Sequence, residues 1–280
     1  MDISQVFCSN GSDEALALSF LAFFNQGSRI LFPDITYSFY PVYARLFDID
    51  YEAVPLDAEF KIDINKYMKA NGGIVFPNPN APTGIFMPVS ELEKLAEYNL
   101  NQAVVIVDEA YIAFGGESAV RLIEKYPNLL IVRTMSKSHS MAGLRVGYCL
   151  GNQSLIEGLN RIKNSFNSYV VDRCAMAAAA AGLADETYYA GIARKIMGTR
   201  ERVGESLIRM GFKVLPSAAN FIFASPPGGD ARGLYEFLRL NGVLVRYFEG
   251  ERVNKFIRVT IGTDEQMDEF LRITELFIKN

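Results

Sequence analysis

The sequence predicts an α/β protein. Its main body is a mostly parallel, seven-stranded sheet with helices on both faces, and a smaller α+β domain follows. Three observations predict this. In the first two-thirds, short continuous apolar runs alternate with helical patterns, the signature of strands buried on both faces and joined by helical crossovers. After one long helical stretch the rhythm changes to shorter strands and helices. Polar residues with chemical capability collect just past the ends of the apolar runs, where such sheets bind ligands.

The strands expected in the main body are residues 5–8, 29–32, 51–54, 73–76, 104–107, 129–132 and 146–150. Helices are expected at 13–24, 38–46 and 89–98, and an alanine-rich, tightly packed helix at 175–184. The long helix spans 187–210, with Arg194, Lys195, Arg200, Glu201, Arg202 and Glu205 placed on its wet side. Strands at 213–215, 220–224, 243–246 and 257–261, with helices at 233–241 and 264–278, make the smaller unit. The division is expected inside the long helix, giving domains 1–190 and 191–280 without a flexible linker.

Composition narrows the function. Half of the 280 residues are apolar and the formal net charge is −4, with no basic run, so neither nucleic acid nor an anionic membrane is an expected partner. Three cysteines (Cys8, Cys149 and Cys174) and one histidine (His139) match no metal spacing. Cys8 and Cys149 read as small buried hydrophobes in a reduced, cytoplasmic setting. The start of the chain lacks the basic residues and long apolar stretch of a signal peptide.

The chemistry centres on Lys137, in Thr134-Met135-Ser136-Lys137-Ser138, with Arg145 eight residues on. Asp108 and Tyr111 follow another apolar run. Pyridoxal phosphate needs such a set: a lysine to hold its aldehyde, a carboxylate for its pyridine nitrogen and a cation for its phosphate. Asp108 at the end of a buried strand wants a cation, which a pyridinium nitrogen would supply, or else reads as an N-cap carboxylate for the next helix. Asn10-Gly11-Ser12-Asp13-Glu14 opens the first helix, and its N–H groups form an anion site once Arg145 is near; alone it reads as helix capping. Tyr37 reads equally as a cofactor-ring cover or a hydrophobic corner. The proline-rich loop 77–84 holds Asn80 rigidly, either as a structural turn or as an amide beside the ring. Arg246 and Arg258 sit among apolar neighbours and want a bidentate anion or a structural ion pair. His139 is read as a hydrogen-bonding loop residue.

With these residues assembled, the chain resembles the fold-type-I pyridoxal-phosphate aminotransferases, and more narrowly the histidinol-phosphate aminotransferase family. The resemblance runs from Asn10-Gly11-Ser12-Asp13-Glu14 through Asp108-Glu109-Ala110-Tyr111 and Ser136-Lys137 to Arg258-Val259-Thr260-Ile261-Gly262-Thr263. It implies a three-layer transferase fold, a homodimer, and a place in histidine biosynthesis with glutamate and 2-oxoglutarate as the amino pair. By that resemblance Lys137 carries the cofactor, Asp108 pairs with the pyridine nitrogen and Tyr111 bonds the phenolic oxygen. Gly11, the Ser12 and Asp13 amides, Ser136 and Arg145 hold the phosphate. Tyr37 stacks on the ring, Asn80 contacts its oxygen and Arg258 binds the glutamate carboxylate; a substrate phosphate must then sit elsewhere, and Arg246, also among apolar residues, is the candidate. The family pattern sets an asparagine immediately before the proline of its proline–threonine–glycine motif; Ala81 stands there and Asn80 one earlier. The family pattern also places roughly seventy residues ahead of the first strand, a segment that reaches the neighbouring subunit and is not in this sequence. Transamination of aromatic or other amino acids, decarboxylation of a phosphorylated amino acid, and a non-catalytic effector-binding module are the alternatives. The last lacks a DNA-binding domain, and a nicotinamide dehydrogenase lacks its glycine fingerprint.

Overall fold

The computed structural model describes residues 1–25 and 27–279. Its first sheet is built from β1 (Val6–Asn10), β2 (Ile30–Pro33), β3 (Tyr51–Val54), β4 (Ile74–Pro77), β5 (Val105–Asp108), β6 (Leu129–Thr134) and β7 (Val146–Gly151). The spatial order is β1-β7-β6-β5-β4-β2-β3. Every pairing is parallel except those of β7, which runs against both β6 and β1. The mostly parallel sheet of the sequence reading is therefore present. The short excursion between β6 and β7 explains the exception: it turns straight back, and a parallel return needs a crossover of a dozen or more residues.

Helices α1 (Gly11–Phe23), α2 (Tyr40–Leu46) and α3 (Val89–Tyr98) alternate with these strands, α4 (Met135–Ser138) lies between β6 and β7, and α5 (Gln153–Phe166) and α6 (Arg173–Ala184) follow them. Strands β2, β4 and β5 are buried at every position, so both faces carry a core. One core joins Phe76, Leu92, Leu95, Val107 and Ile131; the other joins Phe7, Leu16, Phe20, Phe32, Tyr40 and Val132. The apolar runs are thus continuous rather than alternating because neither face meets water.

The long helix α7 (Glu186–Arg209) leads to the second, antiparallel sheet, made of β8 (Lys213–Val214), β9 (Phe221–Ser225), β10 (Arg246–Tyr247) and β11 (Ile257–Thr260) in the order β10-β11-β9-β8. Helices α7, α8 (Ala231–Leu240) and α9 (Asp264–Lys279) supply its core through Val203, Leu207, Leu234, Leu238, Phe270 and Ile273. A separate cluster of Leu56, Phe60, Leu215, Phe223, Val253 and Phe256 packs the second sheet's elements against the loop after β3.

Several expectations need correction. Cys8 is exposed and only Cys149 is buried, because burial alternates along β1: Phe7 and Ser9 turn to the covered face and Cys8 to the open one. The strand expected at 243–246 begins only at Arg246. Helix α6 is packed on one face alone: Ala175, Ala179 and Gly182 are buried, whereas Met176 and Leu183 are exposed. Arg200 is not on the wet side of α7. It continues the stripe of Ala193, Ile196, Val203 and Leu207, at intervals of three and four, and points inward. No helix among the described residues is long and apolar enough to cross a membrane.

Candidate active site

A cleft of about 150 Å³ opens beyond the carboxyl ends of β4, β5 and β6. Parallel strands β4, β5 and β6 end together there, at Pro77, Asp108 and Thr134. Chain turns leaving these ends project their first polar side chains into one space, which is why distant segments of sequence meet. Ser12, Asp13, Tyr37, Asp108, Tyr111, Ser136, Lys137 and Arg145 all line it.

Lys137 is presented by the one-turn helix α4. Thr134 caps that helix by accepting the Ser136 N–H at 3.1 Å. The Thr134 hydroxyl also reaches the Val146 carbonyl at 3.3 Å, which ties the end of β6 to the start of β7. Such a cap fixes the turn that aims the lysine. Lys137 Nζ stands 5.6 Å from the centre of the Tyr111 ring.

Asp108 forms the floor and is 6 % exposed. Its Oδ1 accepts the Ala110 N–H at 3.0 Å and its Oδ2 accepts the Tyr40 hydroxyl at 3.3 Å. Burial pushes its pKa up to about 6; these two hydrogen bonds and Lys137 oppose the rise, and Asp13 adds to it. A buried carboxylate so placed favours a cationic neighbour.

The opposite end is an anion cup. The first-turn N–H groups of α1 have no acceptor within the helix, and no side chain caps them. Ser12 and Asp13 are therefore not caps but open backbone donors. Arg145 adopts a left-handed conformation and reaches back to Asp13 Oδ2 at 3.2 Å. Asp13 Oδ1 accepts the Tyr37 hydroxyl at 2.6 Å, and burial together with this carboxylate raises the phenol's pKa. Gly11 is needed for this closeness: its φ is +79°, and a Cβ there would lie 2.5 Å from Arg145 Nη2. Gly147 of β7 is equally crowded, since its Cβ would lie 2.4 Å from the Ser12 nitrogen.

Tyr111 links the cleft to the second sheet. Its ring meets Phe221 edge-on at 5.1 Å, and the Arg258 guanidinium lies 5.0 Å over the same Phe221 ring. Arg246 faces Arg258 directly across the β10–β11 ladder. Arg258 Nε is buried without a hydrogen-bond partner, and neither arginine has a carboxylate within ion-pair distance among the described residues. Burial pulls the Arg258 pKa down, and the like charge of Arg246 adds to that.

Of the expected site residues, Gly11, Asn80, Arg246 and Arg258 do not line this cleft: Gly11 stands behind Arg145, the two arginines belong to the second sheet, and Asn80 is turned away. Its Nδ2 donates to the Ile35 carbonyl and to Thr83 Oγ1, at 3.0 and 3.2 Å, and its Oδ1 lies 3.3 Å from Thr36 Oγ1. Its amide is saturated by loop contacts; Ala81 is the loop residue that lines the cleft, beside Pro77. His139 packs on Tyr189 at 4.5 Å, with Nδ1 2.8 Å from Ser138 Oγ, and burial lowers its pKa.

Three contributors escaped the sequence reading. Thr134 carried a legible signal, a threonine just before a short helical turn. Arg200 donates to the Phe114 and Ala219 carbonyls, both at 2.7 Å, and so pins the turn after Tyr111 to the loop before Phe221. The apolar stripe of α7 could have placed it. Tyr40 had no local signal, being one aromatic in an apolar helix.

A profile of the family "Aminotransferase class I and II" matches residues 2–273. The chain belongs to the class I and II aminotransferases. It is 50 % identical over 280 residues to a histidinol-phosphate aminotransferase of Clostridium beijerinckii, covering 100 % of this chain and 78 % of that protein. It is 53 % identical over 261 residues to the corresponding enzyme of Pseudomonas putida, covering 93 % and 75 %. Among solved structures, the histidinol-phosphate aminotransferase of Sinorhizobium meliloti in complex with pyridoxal 5'-phosphate superposes with a TM-score of 0.89 at 22 % identity, covering 99 % of this chain and 77 % of that one. At that identity the likeness speaks for the fold: the aminotransferase sheet and its smaller partner domain.

The cleft of this aminotransferase suits pyridoxal phosphate. It has a primary amine, a deep carboxylate lacking a cation, apolar walls from Pro77 and Ala81, and a donor-rich cup that Gly11 keeps open.

Proposed function

We propose that this aminotransferase uses pyridoxal phosphate to move an amino group between histidinol phosphate and the glutamate/2-oxoglutarate pair. When bound, the cofactor supplies an aldehyde that takes the amino group and a ring that accepts electrons. Ser136, Arg145 and the backbone amides of Ser12 and Asp13 would hold its phosphate, and Tyr37 would cover its ring. Asp108 would keep a proton on the pyridine nitrogen. Tyr111 would donate to the phenolic oxygen. Lys137 Nζ would anchor the cofactor, and would then carry a proton from the carbon bearing the substrate's amino group to the former aldehyde carbon of the cofactor, on the far side of the nitrogen.

The observation that carries the substrate reading is the arginine pair. Among the described residues, Arg246 and Arg258 stand opposite one another without a carboxylate in ion-pair reach, and Arg258 keeps a buried, unpartnered Nε beside Phe221. Two adjacent cations repel unless an anion lies between them. Glutamate brings a carboxylate and histidinol phosphate a phosphate, so both half-reactions put an anion there. The relatives at about 50 % identity support the choice of histidinol phosphate.

Single-turnover rates for both half-reactions test this. Losing a desolvated anion contact costs roughly 2–5 kcal/mol, which applies to the half-buried Arg258; Arg246 is exposed, so its contact is worth less. Arg258→Ala should cripple the glutamate half-reaction more than the histidinol-phosphate one, and Arg246→Ala the reverse. Equal losses in all four measurements would make the arginines structural.

We further propose a cytoplasmic homodimer, its units divided near residue 190 within α7. The support is a run of exposed large apolar side chains along α5, α6 and the turn between them: Phe166 is 73 % and Tyr169 93 % exposed, and Met176 and Leu183 are exposed too. A symmetric dimer would cover such side chains. Sedimentation at micromolar concentration checks it; a strictly monomeric protein that transaminates would contradict it.

A further inference from the structure

Tyr40 is not one of the residues to which a role has been given, yet it touches the centre of the site. It is wholly buried at the start of α2. Its ring is fixed by Phe20 at 6.2 Å, Phe32 at 6.0 Å and Tyr37 at 5.7 Å. With the ring held on these sides the hydroxyl has one direction left. It meets Asp108 Oδ2 at 3.3 Å, its only acceptor among the described residues. The other carboxylate oxygen is held from the opposite side of the turn by the Ala110 N–H. One donor comes from the strand's own turn and one from the core.

We propose that Tyr40 is a positioning residue: its hydroxyl turns and holds the ionised Asp108 carboxylate, so that the cleft presents a fixed anion to the cofactor's pyridine nitrogen. The inference rests on the reading of Asp108 as that nitrogen's partner. A carboxylate buried this deeply tends to take up a proton. A neutral Asp108 would leave the pyridine nitrogen without its counter-charge. The Tyr40 hydrogen bond stabilises the ionised form and therefore works against that outcome, as does the Ala110 amide.

The surrounding charges are few. Asp13 from α1 opposes ionisation of Asp108 and Lys137 from α4 favours it. Tyr37, Tyr43 and Cys149 also feel the Asp108 charge, but their own pKa values are raised, so they stay neutral across the working range. Among the described residues, Tyr40 is thus the one side chain from the core that donates to Asp108.

The test uses Tyr40→Phe, which keeps the ring and its packing and removes only the hydroxyl. Asp108 is first titrated in the cofactor-free protein by NMR of carboxyl-labelled aspartate. Tyr40→Phe should raise its midpoint by about half to one pH unit. An unmoved midpoint overturns the inference. Pyridoxal phosphate affinity is then measured at pH 6 and pH 8 for the parent protein, Tyr40→Phe, Asp108→Asn and the double variant. The expected pattern is weaker binding in Tyr40→Phe, larger at pH 6, and no further loss when it is added to Asp108→Asn. Additive losses would mean that Tyr40 acts through packing, and the inference fails. An Asp108→Asn protein that binds the cofactor as tightly as the parent would instead overturn the role of Asp108, and with it this inference.

Discussion

Gly11→Ala isolates the anion cup. Two separate effects follow from the geometry. The residue has φ +79°, a conformation that costs an L-residue about 1–2 kcal/mol. The new Cβ would also lie 2.5 Å from Arg145 Nη2, so the guanidinium must move by most of an ångström. If Arg145 holds the cofactor phosphate as proposed, displacing it removes a charge-assisted contact worth about 1.5–3 kcal/mol, which is roughly a 10- to 150-fold weaker Kd. Gly242→Ala is the matched control: its φ is +81° but no atom lies within 4 Å of the added Cβ. Both variants should lose similar stability in urea without cofactor. Only Gly11→Ala should lose pyridoxal phosphate affinity, read from the visible absorbance on titration. Unchanged affinity in Gly11→Ala, or an equal loss in Gly242→Ala, would refute the argument that Arg145 and the start of α1 form the phosphate site.

Other outcomes follow from the same geometry. Borohydride reduction after cofactor addition should fix the label on a Lys137 peptide; a different lysine as the major site would remove Lys137 from its role. Without cofactor, Asp108 lowers stability as pH rises. Its folded pKa, about 6, lies above the ordinary 3.8, so its favourable contribution is full below about pH 4 and is lost as pH rises through 6. Asp108→Asn should flatten that fall, worth roughly 3 kcal/mol between pH 4 and 7, and a parallel pH–stability curve for the variant would be the contrary result. Arg200→Ala should cost about 2–4 kcal/mol, since two carbonyls lose a charged donor at 2.7 Å and the guanidinium is half-buried. A urea-measured loss under about 0.5 kcal/mol would show that water replaces it.

Much of the site was legible before the fold because parallel strands deliver their carboxyl ends to one side. Lys137, Asp108 and Tyr111 each follow an apolar run, and the rule that such ends converge needs no coordinates. Arg145 was legible by its spacing from Lys137, and Gly11 by its place at the opening of α1. Asn80 shows the limit of that reasoning. A rigid proline-rich loop near the right strand end was identified, but rigidity does not say which way an amide faces. Here loop hydrogen bonds claim the amide and Ala81 meets the cleft instead.

By itself the sequence determined the alternation of buried strands and helices, the gathering of lysine, aspartate and arginine at one cleft, and the aminotransferase family. These depend on local pattern and on residue chemistry at strand ends. Tertiary structure alone decided that Cys8 lies on an open face, that Arg246 faces Arg258, that Arg200 turns inward to join two loops, and that Tyr40 reaches Asp108 from 68 residues away. Each of these depends on which elements become neighbours and on the angle at which they pack. A side chain's partner is set by that packing, and residue type with periodicity fixes only the face from which it starts.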